Sequence, residues 1–244
     1  KNRIWRATIK RVFHNASKII AISPANKESL IRLKTHTSKI TVIPNGFSPE
    51  LFFKTSRKDA RKRLSINLKG RMCIIVGNLV RIKGIKYAIK AFKIISENDK
   101  KVLLYIVGGG FLQKRLEILV RKLGLEDRII FVGIQPHSEI PAWINSADAL
   151  IVSSLREGGP VVALEALACG TPVIGTKVGM LPRIIKPGQN GYLCEIANPE
   201  SLAHSIEKTL KREWDRDKIS QQGYNYTWRK AVTKIVSEYI KLLK

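Results

Sequence analysis

Two glutamates at the start of one apolar segment are the residues of this chain best placed to bind a polar ligand. Glu157 stands in a Gly-Gly-Pro loop, and Glu165 follows eight residues later among Val, Ala and Leu residues. A carboxylate is costly to bury unless a polar group meets it. Pro160 suits the first turn of a helix and Gly170 suits its exit, which predicts a helix over 160–169. Carboxylates suit sugar or ribose hydroxyls, whereas backbone N–H groups at a helix start favour phosphate.

The spacing of the two glutamates leaves two interpretations open. Eight residues of helix rise about 12 Å, so the carboxylates could hold opposite ends of a nucleoside-diphosphate sugar. Alternatively, Glu157 is solvated, and Glu165 lies on the helix surface or pairs with an arginine. A buried strand is expected at 149–152 and another begins near Thr171, so the glutamates belong to a strand, loop, helix, strand unit.

Short apolar strands alternate with helices from Arg71 onward. Strands are predicted at 72–76, 102–107, 128–132, 149–152, 172–175 and 192–194, and helices near 84–97, 110–123, 138–146, 160–169, 180–186 and 199–212. Such alternation favours an α/β fold with a doubly wound parallel sheet, which binds ligands at the carboxyl ends of its strands.

The sequence before Arg71 has a different character. Strands are predicted at 18–23 and 39–43, with a helix over 24–33 between them and a further short helix over 61–64. Residues 1–15 fit a basic amphipathic helix whose apolar face carries Trp5, Ile9, Val12 and Phe13. We therefore divide the chain into 1–46, the remnant of a second α/β domain; 47–70, a connector; 71–213, the doubly wound domain; and 214–244, C-terminal helices.

The charge is strongly basic and unevenly spread. The net charge is +25, of which residues 1–70 carry +14 and residues 101–200 carry +1. Such a surface attracts anionic lipid, phosphorylated substrates or nucleic acid. No nucleic-acid-binding motif or aromatic stacking platform accompanies the charge, which argues against specific nucleic-acid binding. No apolar run approaches the ~18 residues needed to span a bilayer.

Cysteine and histidine usage gives no sign of a metal site. Three cysteines lie in or beside apolar runs and lack metal-ligand spacing, so we expect buried thiols in a reducing compartment. His137 follows the strand predicted at 128–132 and is expected to be a bystander. Residues 1–14 are too charged for a signal peptide, and we expect a piece of a longer cytoplasmic protein.

The segment around Glu157 and Glu165 resembles the glutamate-x7-glutamate signature of retaining nucleotide-sugar glycosyltransferases of the GT-B fold. These form the "group 1" family, which includes glycogen-synthase-like enzymes. Six further segments occur in the family's order across residues 15–243: Ile43-Pro44-Asn45-Gly46-Phe47; Ile75-Val76-Gly77 with Lys83-Gly84; Val107-Gly108-Gly109-Gly110; Phe131-Val132-Gly133; Val178-Gly179-Met180-Leu181-Pro182; and Asn190-Gly191-Tyr192-Leu193.

The resemblance implies that residues 71–213 form the Rossmann-like C-terminal domain that binds the sugar donor. Residues 1–46 would end the acceptor-side domain, and the helices of 214–244 would pack back toward it. The implied reaction moves a sugar from a nucleoside diphosphate to an acceptor hydroxyl with retention of anomeric configuration. The donor would be a UDP-, GDP- or ADP-sugar, and the acceptor a glycan or a lipid-linked molecule.

The resemblance also implies roles for individual residues. Lys83 would neutralise the leaving diphosphate and Glu157 would hold the donor sugar, and these two are the expected catalytic residues. Further donor contacts are expected from Glu165, Gly77, Asn78, Arg81, Gly158 and Gly159. No metal and no cofactor is implied.

Three positions depart from the family's pattern, one of which is Arg183, where relatives often carry glutamate. Asn78 stands where relatives usually carry an arginine, and Asn cannot supply the bidentate phosphate contacts of a guanidinium. Arg81, in the same loop, could replace it. Pro160 stands where many relatives carry glycine and removes one backbone donor. Asn78 and the expected absence of the acceptor-side domain leave a second hypothesis open, a non-catalytic module that binds nucleotide sugars. By itself, the chain is expected to bind donor but to turn over poorly or not at all.

The basic helix at residues 1–15 supports one more expectation. Its apolar face suits packing on the acceptor-side domain, and its basic face suits peripheral contact with an anionic membrane. The expected location is therefore the cytoplasm, with membrane contact at the inner face left open.

Overall fold

The N-terminal part of the protein is a small α/β unit. A computed structural model describes residues 2–66, 70–99 and 101–243, with only the backbone given for 2–6 and 98. The first elements are helix α1 (Asn2–Asn15), strand β1 (Ile19–Ala21), helix α2 (Pro24–Arg32) and strand β2 (Ile40–Val42). Strands β1 and β2 are parallel and form a two-stranded sheet.

Local capping and a small apolar cluster hold this unit together. Ser23 caps α2, because its hydroxyl accepts a hydrogen bond from the backbone N–H of Asn26 at 3.1 Å. Phe13 of α1 packs against a buried cluster formed by Ala21, Leu30 and Ile40. Val12 is 60% exposed, so the apolar face predicted for α1 is buried only in part. The predicted role of the Trp5 side chain lies outside the described residues.

The main domain is a six-stranded parallel sheet with helices on both faces. Its elements are α3 (Arg57–Arg63), β3 (Arg71–Val76), α4 (Ile85–Asn98), β4 (Val102–Val107), α5 (Gln113–Lys122), β5 (Ile129–Gly133), α6 (Ile140–Ser146), β6 (Ala149–Val152), α7 (Val161–Ala168), β7 (Val173–Thr176), α8 (Leu181–Ile184), β8 (Gly191–Cys194) and α9 (Pro199–Lys211). The strand order is β5-β4-β3-β6-β7-β8. This order reverses at β3, as in dinucleotide-binding folds, and the predicted doubly wound α/β class is confirmed.

Apolar side chains cover both faces of this sheet. One cluster joins the sheet to α6 and α7, and a second joins it to α4, α5 and α9. All four residues of β6 are buried, as expected for a central parallel strand. The three cysteines are free and buried, as predicted: Cys73, Cys169 and Cys194. Burial raises the pKa of the Cys169 and Cys194 thiols to about 12.

Helix α3 in the connector is tied to the sheet by arginines. Arg57 and Arg61 each form an ion pair with Asp148 at 2.9 Å, just before β6. The Asp148 carboxylate also accepts a hydrogen bond from the backbone N–H of Met72, at 2.7 Å. The helix begins four residues earlier than predicted, because Ser56 caps it and accepts from the N–H of Asp59.

The last two helices return the chain to the N-terminal unit. They are α10 (Arg216–Gly223) and α11 (Trp228–Leu242). Between them the backbone pairs with Phe47, whose N–H donates to Tyr226 and whose carbonyl accepts from Trp228, both at 3.1 Å. Farther along α11, Glu238 lies 2.8 Å from the Lys18 ammonium and accepts a 3.0 Å hydrogen bond from Thr41. The C-terminal helix therefore lies against β1 and β2.

Candidate functional site

Two glycine-rich loops meet at the carboxyl ends of β3 and β4. The N–H of Gly77 donates to Val107 and that of Leu79 donates to Gly109, both at 2.9 Å. Gly108 has a φ of +132°, and a Cβ there would lie 2.1 Å from the Gly77 carbonyl oxygen. Glycine is therefore required where the two backbones touch. The loop after β3, which carries the predicted donor contacts Gly77 and Asn78, is therefore held in place by the end of β4 and the loop that follows it.

The next turn presents Lys83 to the centre of this edge. It is a short 3₁₀ turn, Arg81–Lys83, closed by Gly84 in the left-handed region at a φ of +62°. Ser153, which follows β6, donates its hydroxyl to the Lys83 carbonyl at 3.0 Å. In the same contact, the N–H of Leu155 donates to the Ile82 carbonyl at 2.8 Å. The lysine turn and the loop after β6 are therefore joined by one side-chain hydrogen bond and one backbone hydrogen bond.

This joint brings the two predicted catalytic residues together. The Lys83 ammonium lies 2.6 Å from Oε1 of Glu157. The Ser154 hydroxyl donates to the same oxygen at 2.7 Å. Only 12% of the Glu157 side chain is exposed, so the interpretation of a solvated Glu157 is wrong. A cation and an anion separated by 74 residues of sequence thus form one polar pair.

The Gly158–Gly159 segment lies between the main domain and the N-terminal unit. A Cβ on Gly158 would lie 2.9 Å from the Ile22 side chain, and the Asn45 amide donates to the Gly159 carbonyl at 3.4 Å. On the other side, Gly179 has a φ of +57°, and a Cβ there would come within 2.3 Å of the Glu157 carbonyl oxygen. The loop is packed on both sides, and helix α7 begins directly after it.

Glu165 lies in the middle of α7 with 10% of its side chain exposed. The alternatives of a surface position or an arginine partner are both wrong, because the recorded partner is a histidine. Nε2 of His137 lies 3.7 Å from Oε1 of Glu165. Burial raises the pKa of the Glu165 carboxyl above its ordinary value, and the His137 imidazole opposes that shift.

His137 is the residue that reasoning from the sequence missed. It begins a 3₁₀ turn, His137–Glu139, a few residues beyond the carboxyl end of β5. Its ring lies 5.3 Å from that of Phe52 in an edge-to-face arrangement. A signal was available, because parallel strands end at one edge of a sheet, and loops after β5 and β6 can converge there.

The remaining predicted residues divide between two places. Gly77, Asn78 and Lys83 line one small cavity, whose other wall includes Ser154 and Val162. Arg81 is exposed and lines a separate groove between the start of α4 and helix α5, together with Lys86 and Arg115.

Two further observations on the described residues concern metal binding and membrane crossing. Within 2–66, 70–99 and 101–243, no three His, Cys, Asp or Glu side chains gather as they would around a metal ion. Across those same ranges, every helix is too short or too polar to cross a bilayer.

The sheet order and the polar pairs at its carboxyl edge define a doubly wound α/β domain with a candidate ligand site where the strand order reverses. Sequence comparison places the chain more narrowly. The family described as "Glycosyl transferases group 1" matches residues 56–226, and the one described as "Glycosyltransferase Family 4" matches residues 1–51. The chain belongs to the group 1 glycosyltransferases.

Three similar proteins illustrate this relationship. An uncharacterized glycosyltransferase of Methanocaldococcus jannaschii, MJ1607, is 31% identical over 237 residues, which cover 93% of this chain and 60% of the relative. Sucrose-phosphate synthase from Thermosynechococcus elongatus superposes with a TM-score of 0.84 at 28% identity, over 98% of this chain and 61% of that one. Anabaena Alr3699/HepE, crystallised with UDP, gives 0.82 at 26% identity, over 96% and 68% of the two chains. The chain therefore spans about 60% of the archaeal relative's length.

Proposed function

We propose that this chain is the donor-binding half of a retaining glycosyltransferase. It would transfer a sugar from a nucleoside diphosphate to an acceptor hydroxyl, with retention of anomeric configuration. The observation that carries this proposal is the 2.6 Å pair between Lys83 and Glu157, set at the carboxyl edge of the sheet beside the buried Glu165. The crystallisation of Alr3699/HepE with UDP supports a nucleotide ligand for this fold.

The donor is proposed to lie across the three loops, with its ribose at Glu165 and its sugar at Glu157. The Glu165 carboxylate accepts hydrogen bonds from the ribose hydroxyls. The Lys83 ammonium and the N–H groups of Gly158 and Gly159 face the diphosphate, where preorganised positive charge is worth most. These groups carry the phosphate charge without a metal ion.

In the proposed reaction, the bond between the anomeric carbon and the diphosphate oxygen breaks as the acceptor oxygen attacks the same face of the sugar. The electron pair of the breaking bond goes to the diphosphate, whose negative charge Lys83 stabilises. The proton of the acceptor hydroxyl passes to the leaving phosphate oxygen. Glu157 positions the sugar and is not assigned a covalent bond to it.

Contacts to the acceptor are proposed to come from outside this chain, which spans 60% of the archaeal relative's length. The chain alone should therefore bind donor nucleotide and transfer sugar slowly or not at all. A glycan or a lipid-linked molecule would be the acceptor. A rate of transfer by this chain alone that is typical of enzymes would contradict the proposal.

The competing proposal is a non-catalytic nucleotide-sugar-binding module. It is favoured by Asn78 in place of the usual arginine and by the position of Arg81 in a separate groove. Both proposals require donor binding. They differ in turnover once an acceptor-side domain is present, and an assay of sugar transfer by such a longer protein separates them.

The donor site is tested by calorimetry and thermal unfolding with UDP, GDP and ADP, each with and without EDTA. A nucleotide at 100 times its dissociation constant should stabilise the fold by about 2.7 kcal/mol. We expect one base to bind best, EDTA to change nothing, and the Glu165→Ala variant to lose binding. Absence of binding by all three nucleotides would overturn the proposal.

A cytoplasmic location with peripheral contact to an anionic membrane is proposed as well. It is supported by the free buried thiols and by the exposed Lys10 and Arg11 of α1. Sedimentation with vesicles containing anionic phospholipid, compared with zwitterionic vesicles, tests the contact. Binding to the anionic vesicles should weaken as salt is raised.

A further inference from the structure

His137 has an unusual combination of exposure and fixed position. Its side chain is 70% exposed, yet its ring packs edge-to-face on Phe52, which is 1% exposed. Phe52 belongs to the connector, between Phe47 and helix α3. The imidazole is therefore held from one side by a buried ring of another segment.

The other side of the imidazole faces the carboxylate that we assign to the donor ribose. The distance from Nε2 of His137 to Oε1 of Glu165 is 3.7 Å. In the part of the chain that the structure describes, this is the only polar side-chain contact recorded for the Glu165 carboxylate. Oε2 is left to accept hydrogen bonds from a ligand.

Other titratable groups near this pair do not share its role. Cys169 lies one turn farther along, and burial raises its pKa to about 12, so it stays a neutral thiol. Glu139, on the same turn as His137, is engaged by Arg63 of α3 at 2.7 Å. The cationic partner available to the Glu165 carboxylate is therefore the His137 imidazole.

We propose that His137 is a positioning residue for the donor site, one that holds the Glu165 carboxylate ionised and oriented and so preserves donor affinity as the pH falls. This inference rests on the proposed function of Glu165 as the ribose-binding group.

The physical argument concerns which form of Glu165 can bind hydroxyls. An ionised carboxylate accepts hydrogen bonds on both oxygens, whereas a protonated one loses part of that capacity. Because burial raises the pKa of Glu165, protonation would begin at a higher pH than for a solvated carboxyl. Histidine is the side-chain type that most readily takes up a positive charge as the pH falls toward 5, and a positive charge beside a carboxylate favours its ionised form. We therefore expect acidification to strengthen the restraint on Glu165.

The test is the pH dependence of donor affinity in four proteins. These are the unchanged chain, His137→Gln, His137→Arg and the matched control His204→Gln, which alters an exposed histidine on α9. UDP-glucose, GDP-mannose and ADP-glucose are screened, and the tightest is titrated by calorimetry at pH 5.5 and pH 8. None of these donors has a phosphate proton that titrates in that range.

Relative to the unchanged chain, we expect His137→Gln to lose about threefold more affinity at pH 5.5 than at pH 8, a modest effect because the imidazole is 70% exposed. His137→Arg, which keeps a charge at every pH, should bind like the unchanged chain at both. Carbon-detected NMR of Glu165 should show that its pKa rises in His137→Gln.

Two outcomes overturn the inference in distinguishable ways. If His137→Gln and the unchanged chain have parallel pH profiles, the positioning role fails while donor binding at Glu165 stands. If no donor binds any of the four proteins, the proposed function fails and this inference fails with it.

Discussion

Glu165 and Glu238 are two carboxylates whose side chains have similar exposure and whose pKa values shift in opposite directions. Their side chains are 10% and 11% exposed. Hydrogen bonds from Lys18, Lys241 and Thr41 lower the pKa of Glu238 to about 2. Glu165 has one histidine at 3.7 Å, and burial raises its pKa. Similar exposure therefore does not give the same chemistry, because desolvation by burial dominates at Glu165 whereas hydrogen bonds dominate at Glu238.

The difference separates a carboxylate that holds the fold together from one that is available to a ligand. Glu238 ties α11 to β1 and β2 and has its hydrogen-bonding capacity filled by the protein. The Glu165 carboxylate has hydrogen-bonding capacity that the protein does not fill, although little of its side chain reaches water. Such a position costs free energy unless a ligand supplies the missing hydrogen bonds. Glu157 is intermediate in its number of protein partners: its side chain is 12% exposed and contacts Lys83 and Ser154.

The largest predicted effect comes from removing the under-coordinated carboxylate. Glu165→Ala should weaken binding of the tightest-binding nucleotide by about 100-fold, since two hydroxyl contacts to a charged acceptor are worth roughly 3 kcal/mol. Calorimetry measures this change. The matched control is Glu238→Gln, which should leave the affinity within about twofold. A comparable loss in both variants would show that nucleotide binding depends on the whole fold rather than on Glu165.

The second effect concerns the cation opposite Glu157. Lys83→Met should weaken UDP binding by about 30-fold and leave uridine binding unchanged, because only the diphosphate meets the ammonium. The control is Lys86→Met on the first turn of α4, where the lysine is exposed. Lys83→Met leaves Glu157 with one partner, so Lys83→Met/Glu157→Gln is included to separate a folding defect from a lost phosphate contact. If uridine binding also falls in the double variant, Lys83 is not a diphosphate contact.

The sequence predicted the fold class well because periodicity and glycine positions are local signals. The strands at 102–107 and 149–152 match those predicted, and α7 differs from its prediction by one residue at each end. Helix α3 was predicted too short, because its basic residues showed no apolar periodicity. Its arginines instead reach Asp148, a partner far away in the sequence.

The candidate site was predicted in part. The spacing of the two glutamates marked Glu157, the family resemblance added Lys83, and the fold places the two side chains 2.6 Å apart. The contact of His137 with Glu165 depends on the loop after β5 reaching across to α7. No local pattern marks such a contact, because it is set by tertiary packing.

The third effect is a gain in nucleotide affinity rather than a loss. It tests whether the Glu157 carboxylate competes with the diphosphate for the Lys83 ammonium. Glu157→Gln should raise the affinity for free UDP about threefold, because the carboxylate no longer occupies the ammonium and no longer repels the diphosphate. Sugar transfer by a protein that includes an acceptor-side domain should fall at the same time. Ser154→Ala, which removes a neutral partner of Glu157, serves as the control and should change UDP affinity little. Unchanged or weaker UDP binding in Glu157→Gln would contradict the competition.

The smallest effect is on stability and tests the contrast between Glu165 and Glu238. The ordinary pKa of a glutamate side chain is 4.5, and Glu165 lies above it in the folded protein. The folded state therefore binds the proton more tightly, and this contribution is complete below pH 4.5 and lost as the pH rises through the raised value. Glu165→Gln, which stays neutral, should raise the Tm by a few degrees at pH 7 and gain little at pH 4.

For Glu238 the sign is reversed, because its folded pKa of about 2 lies below the ordinary 4.5. Its stabilising contribution is complete above pH 4.5 and lost as the pH falls toward 2. Glu238→Gln should therefore lower the Tm at pH 7, and the deficit should shrink on acidification. Thermal melts of both variants between pH 3 and pH 8 check the pair of signs. If both substitutions shift the Tm in the same direction at pH 7, the surroundings of the two carboxylates do not distinguish them. The few protein contacts of Glu165 would then no longer mark it as the ligand site.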